Sequence, residues 1–210
     1  MSADLFYASA CSESCVIILS CSRRPASAGC SASGATGSDN AADCSALLAA
    51  YSAWGNQPSG WGAAIAAGSS YCSWIDASNI MIQCTGARVT SLTVYTNAGL
   101  VGSTIPPSLG GLAALTALTF ESSGGLQPWL QRAGLTGTIP SSLGSLRSLQ
   151  SLIITEQSIA GTIPDTISSL SSLTDLFVVE TNLNGTLPAW LGSLSSLTLL
   201  CVSLVYFISK

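Results

Sequence analysis

The sequence predicts an α/β repeat fold, a solenoid whose short strands stack into one parallel sheet. Three observations carry this prediction. The tetrapeptide Gly-Thr-Ile-Pro at 137–140 returns at 161–164, and Pro140, Pro164 and Pro188 are evenly spaced. Pro106 stands one such period plus ten before Pro140. Between these prolines, apolar residues recur at fixed offsets as L-x-x-L-x-x-L-x-x-L-x-(L/I/V/F). A fixed period of about 20–29 residues with leucines at constant places marks a solenoid, because one such unit cannot bury its own leucines and stacked units can.

Four units follow this pattern. They carry Leu109, Leu112, Leu115, Leu118 and Phe120; Leu143, Leu146, Leu149, Leu152 and Ile154; Ile167, Leu170, Leu173, Leu176 and Val178; and Leu191, Leu194, Leu197, Leu200 and Val202. A first half-unit supplies Leu92 and Val94. The last two apolar positions of each unit alternate with an outward neighbour, as in a short strand. Gly-Thr-Ile-Pro then follows each strand: glycine permits a tight turn and proline holds an extended path.

The chain divides into three regions. Residues 1–40 are rich in Ser, Ala, Gly and Cys and read as a low-complexity tail. Cys11, Cys15, Cys21 and Cys30 fall there, and metal ligation, disulfides and inert thiols all stay open for them. "CVIILSC" resembles the apolar core of a degenerate signal region. It is short, Asp4 and Glu13 precede it, and no basic flank does. Residues 41–88 place Leu47, Leu48, Tyr51 and Trp54 on one side of a helix and fit a cap over the hydrophobic end of the first unit. Cys72 and Cys84 flank Trp74 and either close a small loop or stay as core thiols. Residues 89–210 are the repeats.

Composition excludes several classes. Charged residues are 8%, the net charge is −4 and no basic cluster occurs, which argues against nucleic acid. Hydrophobic residues are 48%, but no apolar run is long enough for a spanning helix. "LLCVSLVYFIS" is too short for one and reads as the last strand. There is no histidine, so neither a Ser-His-Asp nor a Cys-His mechanism can be built. The ten acids form no obvious catalytic pair, and the expectation is no enzyme, no cofactor and no metal.

The repeat resembles the plant-specific leucine-rich repeat, L-x-x-L-x-x-L-x-L-x-x-N-x-L-x-G-x-I-P. Residues 43–94 resemble its N-terminal cap: an "ALL" helix followed by Trp54, Cys72-x-Trp74, a second cysteine at Cys84, and "RVTSL" at Arg88–Leu92. The resemblance implies a right-handed leucine-rich-repeat solenoid with a parallel sheet on the concave face and a helical, disulfide-bearing cap. It implies a Cys72–Cys84 bond, and leaves the pairing of Cys11, Cys15, Cys21, Cys30 and Cys44 open. It also implies an extracellular recognition module. Such modules form ectodomains of receptor-like kinases and receptor-like proteins, and secreted inhibitors of polygalacturonase. The family's asparagine ladder is kept at Asn97 and replaced by Ser123, Gln157, Thr181 and Val205. Ser, Gln and Thr can partly substitute there, whereas Val cannot donate. No C-terminal cap follows "VYFISK", so the expectation is a fragment or a short secreted relative.

The register names the concave positions expected to bind a ligand: Tyr95, Glu121, Ile153, Thr155, Glu156, Phe177, Val179 and Glu180. A wet sheet face that binds nothing is the alternative. The ten extra residues within 121–140 place Trp129 and Arg132 on an edge loop, either as a recognition element or folded back over leucines. Asn184-Gly185-Thr186 is a glycosylation acceptor if the chain is secreted or displayed at the cell surface. The first functional expectation is therefore receptor-like binding of a protein or peptide, with a co-receptor or a wall enzyme as partner. The alternative is a secreted inhibitor of a wall-degrading enzyme. A third reading, association with a wall or an ice surface through rows of Thr and Ser, is weakened by the irregular columns.

Overall fold

In the computed structural model the described residues are 30–31, 34–35, 40–54, 59–74, 80–96, 100–122 and 134–203. The fold begins with two short antiparallel strands, β1 (Cys30–Ser31) and β2 (Gly34–Ala35). Helix α1 (Ala41–Ala53) starts at Asn40, whose Oδ1 accepts from the backbone N–H groups of Ala42 and Asp43 at 3.0 and 3.2 Å. A side-chain acceptor at this place satisfies amides that have no partner inside the helix. Helix α2 (Ser59–Ala66) follows. β1 lies against α2 and β2 against α1.

The cap holds an aromatic cluster. Trp54, Trp61, Tyr71 and Trp74 are all fully buried. The Trp61 ring lies 5.2 Å from Trp74 and 5.8 Å from Trp54, between centroids. Tilted rings at such distances avoid facing like charge on their faces. Trp54 Nε1 donates to the Thr104 carbonyl at 3.2 Å, which ties the cap to the first repeat. Cys72 and Cys84 are disulfide-bonded, with 5.7 Å between their Cα atoms. The bond closes a short loop and stabilises by about 2–3 kcal/mol in the loop-entropy account.

Asp43 joins the cap to the sheet. Its carboxylate is fully buried, accepts from Arg88 Nε and Nη2 at 3.0 Å each, and accepts from the Val89 amide at 2.9 Å. The bond to Asp43 raises the Arg88 guanidinium pKa further.

The main sheet has six strands. Strand β3 (Ile80–Thr85) pairs antiparallel with β4 (Arg88–Thr96) at the cap edge. β4 is followed in parallel by β5 (Ala117–Ser122), β6 (Ser151–Thr155), β8 (Asp175–Val179) and β10 (Leu199–Val202). These are the strands expected from the period. Leu92, Leu118, Leu152 and Leu176 stand in register and are buried, as are Val94, Phe120, Ile154 and Val178. Each such side chain contributes roughly 1.5–3 kcal/mol of burial. Leu200 continues the first row but is 46% exposed, because no described coil lies beyond it.

Two shorter strands, β7 (Ala160–Gly161) and β9 (Asn182–Leu183), pair in parallel after the main strands. The chain then turns at Gly161 with φ +85°, a conformation that side chains with a Cβ rarely adopt. On the opposite side of each unit lies a short 3-10 turn: Pro107–Gly111, Ser141–Ser145, Asp165–Ser169 and Ala189–Ser193. Pro106, Pro140, Pro164 and Pro188 precede them with φ between −63° and −68°, the angle that the ring fixes. Among the described residues α-helix is thus confined to the cap. Gly144 lets adjacent turns meet, since a Cβ there would stand 2.3 Å from the Thr166 carbonyl oxygen.

Hydroxyls stitch successive coils together. Thr116 Oγ1 donates to the Thr90 carbonyl at 2.8 Å, Thr174 to Gln150 at 2.9 Å and Thr198 to Thr174 at 3.1 Å. Ser142 donates to Pro107, and Thr166 to Ser141, at 2.7 Å each. Much of the Ser and Thr content therefore satisfies backbone acceptors between units.

The asparagine slot behaves unevenly. Asn97, Ser123 and Val205 lie outside the described residues. Gln157 is buried and fills the role: its Oε1 accepts from the Leu135 amide at 2.8 Å, and its Nε2 donates to the Thr155 carbonyl at 2.8 Å and Thr96 Oγ1 at 3.1 Å. Thr181 does not. It is buried, yet its hydroxyl makes no hydrogen bond, so the expected substitution by Thr fails at this coil.

Candidate ligand-binding face

The outward residues of β4 to β10 form the concave face. Parallel register places Thr93, Thr119, Ile153, Phe177 and Cys201 in one row across the sheet. Neighbouring strands are about 4.8 Å apart. Ile153 and Phe177 are therefore in lateral contact range, and both are half-buried while Leu152 and Leu176 behind them are buried. The row is polar on the cap side and apolar on the far side. Tyr95 pairs in register with Glu121, and Thr155 with Val179, one step nearer the strand ends. All four are half-buried.

Glu156 and Glu180 stand apart from this alternation. Both have positive φ, 57° and 54°, just beyond β6 and β8. A non-glycine residue in this region costs about 1–2 kcal/mol. The Glu156 amide donates to the Val179 carbonyl at 3.2 Å, and the Glu180 amide to Ser203 Oγ at 3.0 Å. The left-handed step turns the chain out of the main sheet and carries the carboxylates to its rim. Nothing in the spacing of the sequence signals it, although its recurrence one period later follows the repeat.

Three acids share the rim. Partial burial, then the charges of Glu180 and Glu121, push the Glu156 carboxyl above its ordinary value. The ion pair between Arg88 and Asp43 is far from them, at the cap. The face therefore couples an apolar patch to an acidic edge.

The remaining sequence-derived sites are spread elsewhere. Trp129 and Arg132 lie outside the described residues, as does the proposed signal region. Asn184 follows β9, half-buried, and its amide donates to the Gly161 carbonyl at 2.8 Å. Thr186, the third residue of the acceptor triplet, is exposed. It ends a file of threonines, Thr104, Thr138, Thr162 and Thr186, at equivalent places of successive coils, and all four are exposed. Cys44 and Cys201 are also disulfide-bonded, which the spacing of the cysteines did not reveal. Among the described residues no group of three or more His, Cys, Asp or Glu could hold a metal ion, and no helix is long and apolar enough to cross a membrane.

Parallel strands in register, one per coil, with buried leucines and a capped first unit, define a leucine-rich-repeat solenoid. No protein-family model matches the chain. No curated protein matches it either. Solved structures do. A plant ice-binding protein is 28% identical with a TM-score of 0.62, over 79% of this chain and 48% of that one. The PEPR1–AtPEP1 complex is 25% identical with a TM-score of 0.61, over 77% of this chain and 21% of that one. The ectodomain of the receptor kinase SOBIR1 from Arabidopsis thaliana shares the fold at 23% identity and a TM-score of 0.52, over 76% of this chain and 77% of that one. The chain thus spans about half the length of the first and a fifth of the second. Its repeat fold is that of the plant structures it matches.

Proposed function

We propose that the chain is an extracellular, receptor-like recognition module that takes a protein or peptide on its concave face and performs no catalysis. The observation that carries this reading is the row Ile153–Phe177 beside the acidic rim of Glu121, Glu156 and Glu180. Side chains that fill no core, on a scaffold that does not need them, are available for a partner. The chemistry selects a ligand with apolar side chains and at least one basic group. Tyr95, Thr155 and Val179 extend the contact surface. Resemblance to the PEPR1–AtPEP1 structure, whose name pairs PEPR1 with AtPEP1, supports a recognition role. Right-handed winding is taken as for other parallel β-crossover-β connections, and a glycan at Asn184 fits the secretory route.

The test is a peptide-display selection against the immobilised chain. Selected peptides should combine apolar and basic residues. Phe177→Ala with Glu156→Ala should weaken them by about 1–2 kcal/mol or more, the size of a hot-spot loss. Binding unchanged in that variant but lost on Trp129→Ala would move the site to the edge loop.

A second reading has its own observation. The threonine file of Thr104, Thr138, Thr162 and Thr186 repeats with the coil and is largely exposed, and a plant ice-binding protein has the same fold. Measurable thermal hysteresis in the parent, abolished by Thr138→Lys and Thr162→Lys, would favour association with ice over recognition. An inhibitor of a wall-degrading enzyme is the variant of the first reading in which the partner is a secreted hydrolase, tested by capture of polygalacturonase.

A further inference from the structure

Strand β8 carries acids at both of its ends. Asp175 opens it and Glu180 follows it. Side chains alternate along a strand, so Asp175, Phe177 and Val179 project on the side opposite to the buried Leu176 and Val178. Phe177 stands about 6.6 Å along the strand from Asp175, and Val179 about the same distance farther. The described residues hold little to neutralise these acids. Arg88 is taken by Asp43 at the cap. Arg147, the other described base, is exposed in the turn before β6 and forms no ion pair with a described residue.

Each end calls for a donor or a cation. Thr174 Oγ1 lies 2.9 Å from the Gln150 carbonyl and 2.9 Å from Asp175 Oδ2. A hydroxyl has one proton to give. Thr116 and Thr198, at the same place in neighbouring coils, give theirs to the coil before. Asp175 therefore competes with Gln150 for a single proton. At the other end, burial and then the charges of Glu180 and Glu121 raise the Glu156 carboxyl. A cation seated there relieves the repulsion between like charges. Between the two ends lie Phe177 and, in register on β6, Ile153.

We propose that β6 and β8 clamp an extended peptide lying along the strands, with one basic side chain at Asp175, an apolar one two residues on against Phe177 and Ile153, and a second basic one four residues on at the rim of Glu156 and Glu180. Spacing sets the direction. Side chains on one side of an extended peptide recur every two residues, about 6.6 Å, which matches the step along β8. Laid across the sheet, the same peptide would meet strands about 4.8 Å apart and drift out of step. The clamp rests on the recognition reading and deepens it: it fixes the direction of the ligand and the interval between its charges.

Two synthetic peptides of one composition test it by calorimetry on the whole chain: blocked Arg-Ser-Leu-Ser-Arg, with the bases spaced as the clamp requires, and its isomer Arg-Arg-Leu-Ser-Ser. The spaced peptide should bind the parent about tenfold more tightly. Asp175→Asn should remove that advantage, leaving the two peptides alike and the melting curve unchanged. Asp165→Asn, on the opposite side of the coil, should alter neither affinity. The comparison of isomers on the parent needs no variant, so a poorly folded Asp175→Asn chain does not spoil it. Equal affinity of the two isomers overturns the clamp, as does an advantage that survives Asp175→Asn, or displacement of the spaced peptide by spermidine at equal concentration. Binding of neither peptide also overturns it. The recognition reading fails separately, when display selection returns no ligand that depends on Phe177 and Glu156.

Discussion

Asp43 and Arg88, far apart in the chain, meet through two hydrogen bonds of 3.0 Å, and the same carboxylate takes the Val89 amide at 2.9 Å. The contact is bidentate, and its acid is buried. It fixes where the helical cap sits on the first strand.

Removing one partner of such a pair leaves the other without compensation. Arg88→Met keeps the apolar stem but strands the buried carboxylate, and should destabilise by about 3–5 kcal/mol. Asp43→Ala should cost less, about 1–3 kcal/mol, because the Val89 amide loses its acceptor while the Arg88 side chain, 37% exposed, can turn to water. Denaturant unfolding of both variants, with their double mutant, measures the coupling. A double mutant no more stable than the sum of the two losses would deny the interaction.

Thr181 and Gln157 occupy the same slot in adjacent coils with opposite outcomes. Gln157→Leu should cost at least about 1–3 kcal/mol, because the Leu135 amide loses its acceptor in a buried place. Thr181→Asn should stabilise by about 0.5–1.5 kcal/mol for each hydrogen bond gained. The midpoint of chemical unfolding reads both, and a Thr181→Asn chain less stable than the parent would show that the slot cannot admit the longer side chain.

The carboxyl of Glu156 is raised in the folded state, first by burial and then by Glu180 and Glu121. A raised acid favours the fold when protonated. That contribution is full below the unfolded value near 4.5 and is lost as pH climbs through the higher folded value. Glu156→Gln should therefore raise the melting temperature at pH 7 relative to the parent. The gap should close as pH falls to 4. A constant gap across this range would assign the effect to something other than charge.

Core and face should respond differently to truncation. Leu152→Ala should cost about 2–5 kcal/mol, as buried leucine deletions do. Phe177→Ala, one strand away on the open side, should cost far less. Ile163 is buried in the turn, so its loss should weaken binding only by unfolding the chain. Thermal melts of the three variants give the order.

If the chain passes through the secretory route, Asn184→Gln should remove the mass of one N-glycan. Cys72 and Cys84 should resist alkylation until reduced. An unmodified Asn184 with both thiols free, in protein taken from plant cells, would argue against extracellular processing.

The strands were legible in the sequence because buried leucines leave a period, and the period sets register: Leu92, Leu118, Leu152 and Leu176 align as the spacing requires. The Cys72–Cys84 bond followed from resemblance. The Asp43–Arg88 joint was not legible, since a single pair far apart in sequence has no local signature. Nor were the left-handed steps at Glu156 and Glu180, where residues that ordinarily avoid that conformation adopt it at the strand exits. The hydroxyl stitches were hidden for a related reason: a serine that bonds to the coil before it looks, in sequence, like a serine in a loop. The row of Ile153 and Phe177 was found because alternation fixes facing, whereas the bonded state of Cys201 depends on the path of the chain in space.

The near contact of Gly144 with the Thr166 carbonyl gives this molecule an adjustable length. The coils of 107–111, 141–145 and 165–169 share one set of partners: Gly110 and Gly144 leave room for the next turn, and Ser142 and Thr166 donate to the carbonyls of Pro107 and Ser141 before them. A copy of residues 141–164 inserted after Pro164 would meet on both sides the groups it left behind. It would widen the sheet by one strand, about 4.8 Å, and add one row to the open face without asking any neighbour to move. Growth by whole units is thus built into the joints, and a surface for a larger partner is reached by duplication before any new side chain is needed.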